Sequence, residues 1–560
     1  MPRTELHPAR TPRAAQRRLE HLSPFELKDK LIALAAGHAR ASTAQMLNAG
    51  RGNPNWIATA GRDAFFLLGR FAMQEARRTW DAPGLAGMPS PQGIATRLRA
   101  FLRHNAEEPG AELLRAALDY GTRQLGFEPD AFAHELTDAV VADNYPVPPR
   151  MLAHCERIVH EYLIQEVCDG RGPGGRFDLF ATEGATAAIC YIFDSLAVNG
   201  LLERGSRIAL GTPIFTPYVE IPRLERYGLE IVPVQATETR PDGSHAWQYP
   251  DSEIEKLADH KVKAFFLVNP SNPPSVAMRP ATVRRLVKVI RRDNPDLIII
   301  TDDVYATFVP GFRSLMAELP HNTIGVYSFS KNFGCTGWRL GVVAIHESNV
   351  LDRMLARLPA RRRSVLGRRY ASLSLQPERL KFIDRLVADS RQVALNHTAG
   401  LSLPQQAQMT LFAISALVDR SHAYDKLTRS VVQRRYRALF EGLRAPLPED
   451  PMRAGYYADL DLLVWARREY GEQFVRFLER NYQPVDLLFR LAEQSSIVLM
   501  HGGGFDGPKW SVRVSLANLP DEAYGKIGHY LRLAAETYVQ EWKAAARRPL
   551  AAARRARTGG

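Results

Sequence analysis

An α/β fold, with a mostly parallel sheet between helices and a smaller α+β domain beside it, follows from three observations. Between residues 177 and 345, strand-like runs alternate with helical ones, as in chains that build parallel sheets. Those runs are apolar throughout and do not alternate with polar residues, so both faces of the sheet are covered. The residues that follow them are polar, glycine-bearing or aromatic, as a ligand site at the carboxyl ends of parallel strands requires.

In chain order, "FDLFATEG" (177–184) reads as a strand and "ATAAICYIFDSLAVNGLL" (185–202) as a helix. "SRIALGTP" (206–213) and "LEIVPVQA" (229–236) are strands on either side of a helical "YVEIPRLERYG" (218–228). "VKAFFLVNP" (262–270) is a buried strand, and "PATVRRLVKVIRRD" (280–293) is a helix opened by proline. "LIIITDD" (297–303) is another strand. Thr323 to Tyr327 runs as a strand into "SFSKNFGCTGWRLG", and Leu340 to Ile345 runs out of it.

The flanks read differently. Before about residue 150 the chain is helix-rich with proline-marked turns, and after about residue 395 long helical patterns give way to the short strands of "SIVLMHGGGF" and "WSVRVSLANL". The predicted organisation is a basic, disordered arm over 1–21 and a segment over 22–150 contributing to the small domain and to subunit contacts. The large domain follows over 151–395, the rest of the small domain over 396–542, and a basic disordered tail over 543–560.

Charge excludes less than it first suggests. The net charge is +13, but about nine of those charges sit on the two terminal arms, so the body is only mildly basic and no nucleic-acid partner is expected. A third basic run, "ARRRSVLGRRY" (360–370), reads as an exposed helix face or a subunit contact. Four cysteines without a CxxC pair argue against disulfide scaffolding and a zinc knuckle. No apolar run approaches the length of a membrane span and no signal sequence is read, so a cytoplasmic protein is expected.

The strand ends carry the groups that pyridoxal phosphate requires. Its aldehyde calls for a lysine amine, and Lys331 stands alone in a glycine-rich turn at a strand end. Its ring nitrogen calls for a carboxylate, because a protonated ring withdraws electrons far better than a neutral one. Asp302 supplies it; Asp303 is the alternative, although the three-residue step to Tyr305 favours Asp302. Tyr305 and Asn272 are candidates to donate to the ring's phenolic oxygen. Gly184, Ala185 and Thr186 open a helix and, with Ser328 and Arg339, suit the phosphate. Phe215 suits the ring face, with a core aromatic as the alternative.

Taken in order, "NPSNP", "DDVY" and "SFSKNFGCTGWRLG" resemble the fold-type I aspartate aminotransferase family. The longer blocks "LSPFELKDKLI", "LNAGRGNPNW", "NYPVPPRML", "FTPYVEIP", "VNPSNPPSV", "RLKFIDRLVADSRQVALNHTAGLSLPQQ" and "GGGFDGPKWSVRVSLANLPD" are similar to the bacterial aspartate 4-decarboxylases within it. The resemblance runs from about residue 22 to 535 and implies a seven-stranded large-domain sheet and pyridoxal 5'-phosphate as cofactor. It implies β-decarboxylation of L-aspartate to L-alanine and CO2, with transamination to 2-oxo acids as a side activity; the alternative is an aspartate aminotransferase without the decarboxylase. It also implies that Arg513 grips the substrate α-carboxylate, that Tyr145 reaches the phosphate of a neighbouring subunit, and that Arg51 and Lys28 shape the substrate end of the site. Self-association as a dimer, or as a larger assembly of dimers up to a dodecamer, is implied as well. Asn332 and His501 depart from the family pattern.

Several strings point elsewhere and fail. "HGGGF" (501–505) mimics an esterase oxyanion loop, but no GxSxG turn accompanies it. "GRGPGG" lacks the lysine of a phosphate-binding P-loop, and "HEYLI" lacks the second histidine of a zinc site, so no metal is expected. A DNA-binding regulator on the same fold would need a separate reading domain, for which the N-terminal segment is too short.

Overall fold

Seven strands form where the apolar runs place them in the computed structural model, which describes residues 6–42, 45–391 and 400–558, with side chains to residue 547. They are β1 (Phe177–Thr182), β2 (Arg207–Thr212), β3 (Glu230–Gln235), β4 (Val262–Val268), β5 (Ile298–Asp302), β6 (Thr323–Ser328) and β7 (Gly341–His346). Their order in the sheet is β1-β7-β6-β5-β4-β2-β3. Only β7 runs against its neighbours; the other pairings are parallel.

Successive residues of a strand point to opposite faces, and here each face has its own apolar core. Ala264, Phe266, Ile298 and Ile300 join one cluster, while Phe265, Leu267 and Ile299 join the other. Oil on both sides leaves the central strands no wet face, which is why their runs are apolar without alternation; the edge strand β3 is the exception, with Glu230, Pro233 and Gln235 exposed. The helix predicted over 280–293 forms over Pro280–Asp293, with Pro280 in its first turn. "YVEIPRLERYG" does not form the expected helix. It gives one turn (Pro217–Glu220) and a short 3-10 segment (Ile221–Arg223), because Pro222 cannot supply an amide hydrogen to continue the ladder.

The flanking helices divide differently from the expected boundaries. Helix α1 (Pro24–Ser42) packs with the C-terminal part of the chain. Helix α2 (Ala60–Thr79) and the helices after it to residue 141 bury Leu68, Phe71, Leu98 and Phe132 in the large-domain core instead. There they meet α3 (Ala153–Val167) and α5 (Leu403–Val418), with α4 (Ala185–Val198) lying on the sheet between them in sequence. The expected boundary at 395/396, and part of the block 379–406, lie outside the described residues.

The small domain holds a three-stranded antiparallel sheet of β8 (Tyr457–Asp461), β9 (Met500–His501) and β10 (Ser511–Ser515), ordered β8-β10-β9. Helices α6 (Ala423–Leu443) and α7 (Asp521–Thr558) pack along each other beside it. Both chain ends contribute: Leu47–Asn48 pairs in parallel with Ile497–Val498. Residues 6–21, expected to be a solvated arm, are packed here. Leu6 and Gln16 are buried, and the backbone N–H of Thr11 donates to Glu493 at 2.9 Å. Residues 543–558, expected to be disordered, continue the last helix. Among the described residues no helix is long and apolar enough to cross a membrane.

Candidate active site

At the carboxyl ends of β4, β5 and β6 a cavity of about 320 Å³ is enclosed jointly by large-domain and small-domain residues. Lys331 lies three residues past the end of β6, inside it. Its Nζ donates to the Gly52 carbonyl at 2.9 Å and lies 6.0 Å from the Tyr456 ring centre. Burial lowers the pKa of this amine, favouring the neutral, nucleophilic form. The turn holding it depends on glycine: Gly334 has φ +58°, and a Cβ there would stand 1.9 Å from the Trp56 carbonyl oxygen.

Asp302 closes β5 and points into the same cavity. Its two donors are distant, Tyr218 Oη at 3.4 Å and the Val304 N–H at 3.3 Å, and burial pushes its pKa up to about 7. A buried carboxyl so poorly solvated is stabilised by a cationic N–H placed against it. Asp303 turns the other way, accepts hydrogen bonds from Thr301 and Ser314, and does not line the cavity. Of the two acids, Asp302 is the one that lines the cavity holding Lys331.

Opposite stands Arg513, at the centre of β10 and almost fully buried. Its Nη1 donates to Asn272 Oδ1 and its Nη2 to the Gly50 carbonyl, each at 3.0 Å, and its guanidinium lies 4.2 Å from the Tyr457 ring centre. Its Nε is buried without a partner, a donor left over for an incoming anion. Because Asn272 Oδ1 is taken by Arg513, the Asn272 amide faces the cavity as a donor. Tyr305 Oη donates to Tyr457 Oη at 3.1 Å.

One corner of the cavity suits a phosphate. Helix α4 starts at Ala185, its first turn carries no acid, and Ala185 and Thr186 line the cavity. Gly184 caps it at φ +91°, and a Cβ there would stand 2.6 Å from Arg339 Nη2, so only glycine lets the guanidinium so close. Ser328 and Arg339 complete this corner. Phe215, Lys28 and Arg51 also line the cavity, Phe215 packing edge-on against Phe25 at 6.3 Å.

Of the expected site residues, only Tyr145 and Gly184 are not on the cavity wall; Gly184 lies directly behind Arg339, and Tyr145 is exposed elsewhere. The two departures also lie outside it. Asn332 turns into the core and donates to Asp425 at 3.0 Å, and His501 donates from Nε2 to the Lys509 carbonyl at 2.9 Å. Sequence reading missed Gly52, Tyr456, Tyr457 and Tyr218. Tyr457 opens a strand not expected from the sequence, with Tyr456 just before it, and Tyr218 lies in the block "FTPYVEIP", where no role was read for it.

The sequence profile of the family described as aminotransferase class I and II matches residues 179–529. A Pseudomonas sp. protein named bifunctional aspartate aminotransferase and L-aspartate beta-decarboxylase is 47% identical over 530 residues, 94% of this chain and 98% of that one. Among solved structures, the aspartate aminotransferase of Rhizobium meliloti superposes with a TM-score of 0.55 at 17% identity, covering 92% of this chain and 96% of that one. Pyrococcus protein-A1 superposes with a TM-score of 0.56 at 18% identity, covering 95% and 99%. At such identities the two structures speak for the fold alone.

Proposed function

Because the chain belongs to the class I and II aminotransferase family, we propose that it converts L-aspartate to L-alanine and CO2 with pyridoxal phosphate, and transaminates aspartate as a second activity. The observation that carries this reading is the likeness to the Pseudomonas enzyme over nearly the full length of both chains. The residues of the cavity fit the cofactor. The under-solvated Asp302 suits a ring N–H, the Gly184–Arg339 approach and the start of α4 suit a phosphate, and Lys331 suits the aldehyde.

Pyridoxal phosphate, when bound, supplies an aldehyde that takes up the substrate amine and a ring that withdraws electrons from the carbons next to it. Lys331 would hold the aldehyde, and its Nζ, when free, would take the proton from the substrate Cα. Burial already biases this amine towards the neutral form it needs. Asp302 would keep the ring nitrogen protonated, while Asn272, and Tyr305 once its hydrogen turns from Tyr457, would donate to the phenolic oxygen. Arg513 grips the α-carboxylate and so orients the Cα–H bond towards Lys331. The Gly52 carbonyl, accepting from Lys331 and from Tyr456 at 2.9 Å each, parks the amine between proton transfers.

The β-carboxylate makes a different demand. Gripping it with a bidentate arginine would stabilise the charged group and oppose its loss as neutral CO2. Arg51 and Lys28, on the wall beside Gly50 and Gly52, are placed to direct this carboxylate. Lys28 is already drawn aside, with its Nζ 3.4 Å from Asp29 and 5.5 Å from the Phe25 ring centre. Loss of CO2, with a proton taken up at the β-carbon and the Cα proton returned from Lys331, would leave alanine; hydrolysis before that loss would leave oxaloacetate, its amino group passing to a 2-oxo acid. Tyr145 reaching the phosphate of a second subunit is part of the proposal, supported by its exposure, and the assembly would be a dimer or a multiple of one.

The test is incubation of the purified protein with aspartate, pyridoxal phosphate and a catalytic amount of a 2-oxo acid, with alanine and CO2 measured together. Stoichiometric alanine and CO2, lost on Lys331→Ala, is the expected result. Oxaloacetate without alanine would overturn the decarboxylase reading and leave the aminotransferase.

A further inference from the structure

A second cavity, of about 290 Å³, is enclosed by the loop around 240–247 and the small domain. It shares no lining residue with the cleft that holds Lys331. Its body is apolar, walled by Trp247, Phe440, Leu443, Trp465 and Leu487. A void of this size and lining is at the small end of ligand pockets, and the reaction described above makes no use of it.

The charged groups on its wall sort into pairs, with two exceptions. Arg240 pairs with Asp450 at 3.1 Å, His245 with Asp461 at 3.0 Å, Arg468 with Asp242 at 3.7 Å, and Arg532 with Glu536. Arg453 has no hydrogen bond to its side chain and no ion pair among the described residues. Its guanidinium stacks 4.9 Å from the Tyr436 ring centre, and its Nε is buried without a partner. The second exception is Asp459: its oxygens are buried without a hydrogen bond of ordinary geometry, and the groups that favour its charge are the Ser511 hydroxyl, His245 and Arg513. A guanidinium held on an aromatic face beside an apolar void, with no protein partner for its donors, presents fixed positive charge to whatever enters. Its buried, unpaired Nε costs free energy that an anionic ligand would return.

We propose that this cavity is a second ligand site, taking a small carboxylate with an apolar body, the carboxylate on Arg453 and the body against Trp247, Phe440 and Leu443. Two sources share this chemistry, an apolar α-amino acid and a simple carboxylic acid, and Asp459 distinguishes them. The ammonium of an amino acid would find in Asp459 a buried carboxyl short of hydrogen bonds, with only the Ser511 hydroxyl beside it. A simple acid would meet the neutral form that burial favours, since the pKa of Asp459 is pushed up to about 7. The site adjoins the cleft through one strand: Asp459 is the register partner of Arg513, and Tyr457, two residues earlier on β8, lines the cleft.

The experiment is calorimetric titration of the holoenzyme with 3-phenylpropanoate, its uncharged amide, and α-methylphenylalanine, an amino acid with no Cα proton to lose. Each titration is run with and without succinate, a C4 dicarboxylate suited to the cleft. At least one of the two acids should bind in the sub-millimolar range with succinate present, and the amide at least about tenfold more weakly, the loss of one charge-assisted contact. Arg453→Met should weaken the acid by a similar factor while leaving turnover of aspartate unchanged. Leu443→Trp, which fills the void and leaves the guanidinium in place, should abolish binding even if the first variant folds poorly. Stronger binding of α-methylphenylalanine assigns the site to amino acids, and stronger binding of 3-phenylpropanoate to simple acids. The proposal is overturned by any of four results: no acid binding at millimolar concentration, equal binding of the amide, affinity unchanged in both variants, or displacement by succinate.

Discussion

Replacing Asp302 by asparagine keeps the side chain's shape and removes its charge, and the structure sets opposite consequences for catalysis and for stability. The carboxyl is fully enclosed, its two donors are 3.3 and 3.4 Å away, and its pKa rises from 3.8 to about 7. That rise corresponds to about 4 kcal/mol of penalty on the charged form. In the cofactor-free protein the folded state binds this proton more tightly than the unfolded chain, so stability falls as pH climbs from about 4 to about 7, and the full penalty stands above pH 7. Cofactor-free Asp302→Asn should therefore be more stable than cofactor-free wild type at pH 8, by at most about 4 kcal/mol, and the two should converge below pH 4. With the cofactor bound, the same charge faces a ring N–H, and an attraction of about 4 kcal/mol at an effective dielectric of 20 disappears with it. Alanine formation should then fall by about 10³-fold, with the cofactor still attached to Lys331. The assays are thermal unfolding of the stripped proteins across pH and turnover of the reconstituted ones. A variant that keeps turnover within tenfold of wild type, or that is less stable than wild type at pH 8 when stripped, would refute the reasoning.

Three further outcomes follow from the same geometry. Arg513→Lys loses the fork that serves Asn272 and Gly50 and should lower kcat/KM for aspartate by about 10²-fold, mostly through KM, in steady-state kinetics. Gly52→Ala places a Cβ 2.8 Å from Tyr457 Oη and 3.3 Å from Lys331 Nζ. It should slow turnover by about tenfold while leaving the unfolding midpoint nearly unchanged, because the strain falls on two side-chain tips. Gly334→Ala forces a methyl group onto the Trp56 carbonyl at φ +58° and should cost about 2–4 kcal/mol in chemical denaturation, with cofactor affinity falling because Lys331 lies in the same turn.

Local signals carried much of this far. Seven apolar runs became seven strands, and six of them are buried almost throughout, a pattern that needs no partner information to be recognised; β3, at the sheet edge, is largely open. Lys331, Asp302 and Asn272 were legible because each follows one of those runs within a few residues, where parallel strands gather their ends. The failures differ in cause. Pro222 is a local break inside "YVEIPRLERYG" that the helical reading passed over. The helices over 60–141 looked like small-domain material because an amphipathic face says that a helix is covered, not by what. The N-terminal arm looked solvated by composition, yet its backbone donors meet Glu493 far along the chain.

By itself, then, the order of residues gave the class of sheet, the strand ends that line the cleft, and the cofactor those ends suit. The three-dimensional structure alone decided which carboxyl of the pair 302–303 lines the cavity with the lysine, that Asn332 turns away from the cleft, and that Gly52 receives both Lys331 and Tyr456. Those contacts join residues 279 and 404 positions apart. The direction of a side chain at such a meeting depends on packing between distant segments, and no local periodicity encodes it.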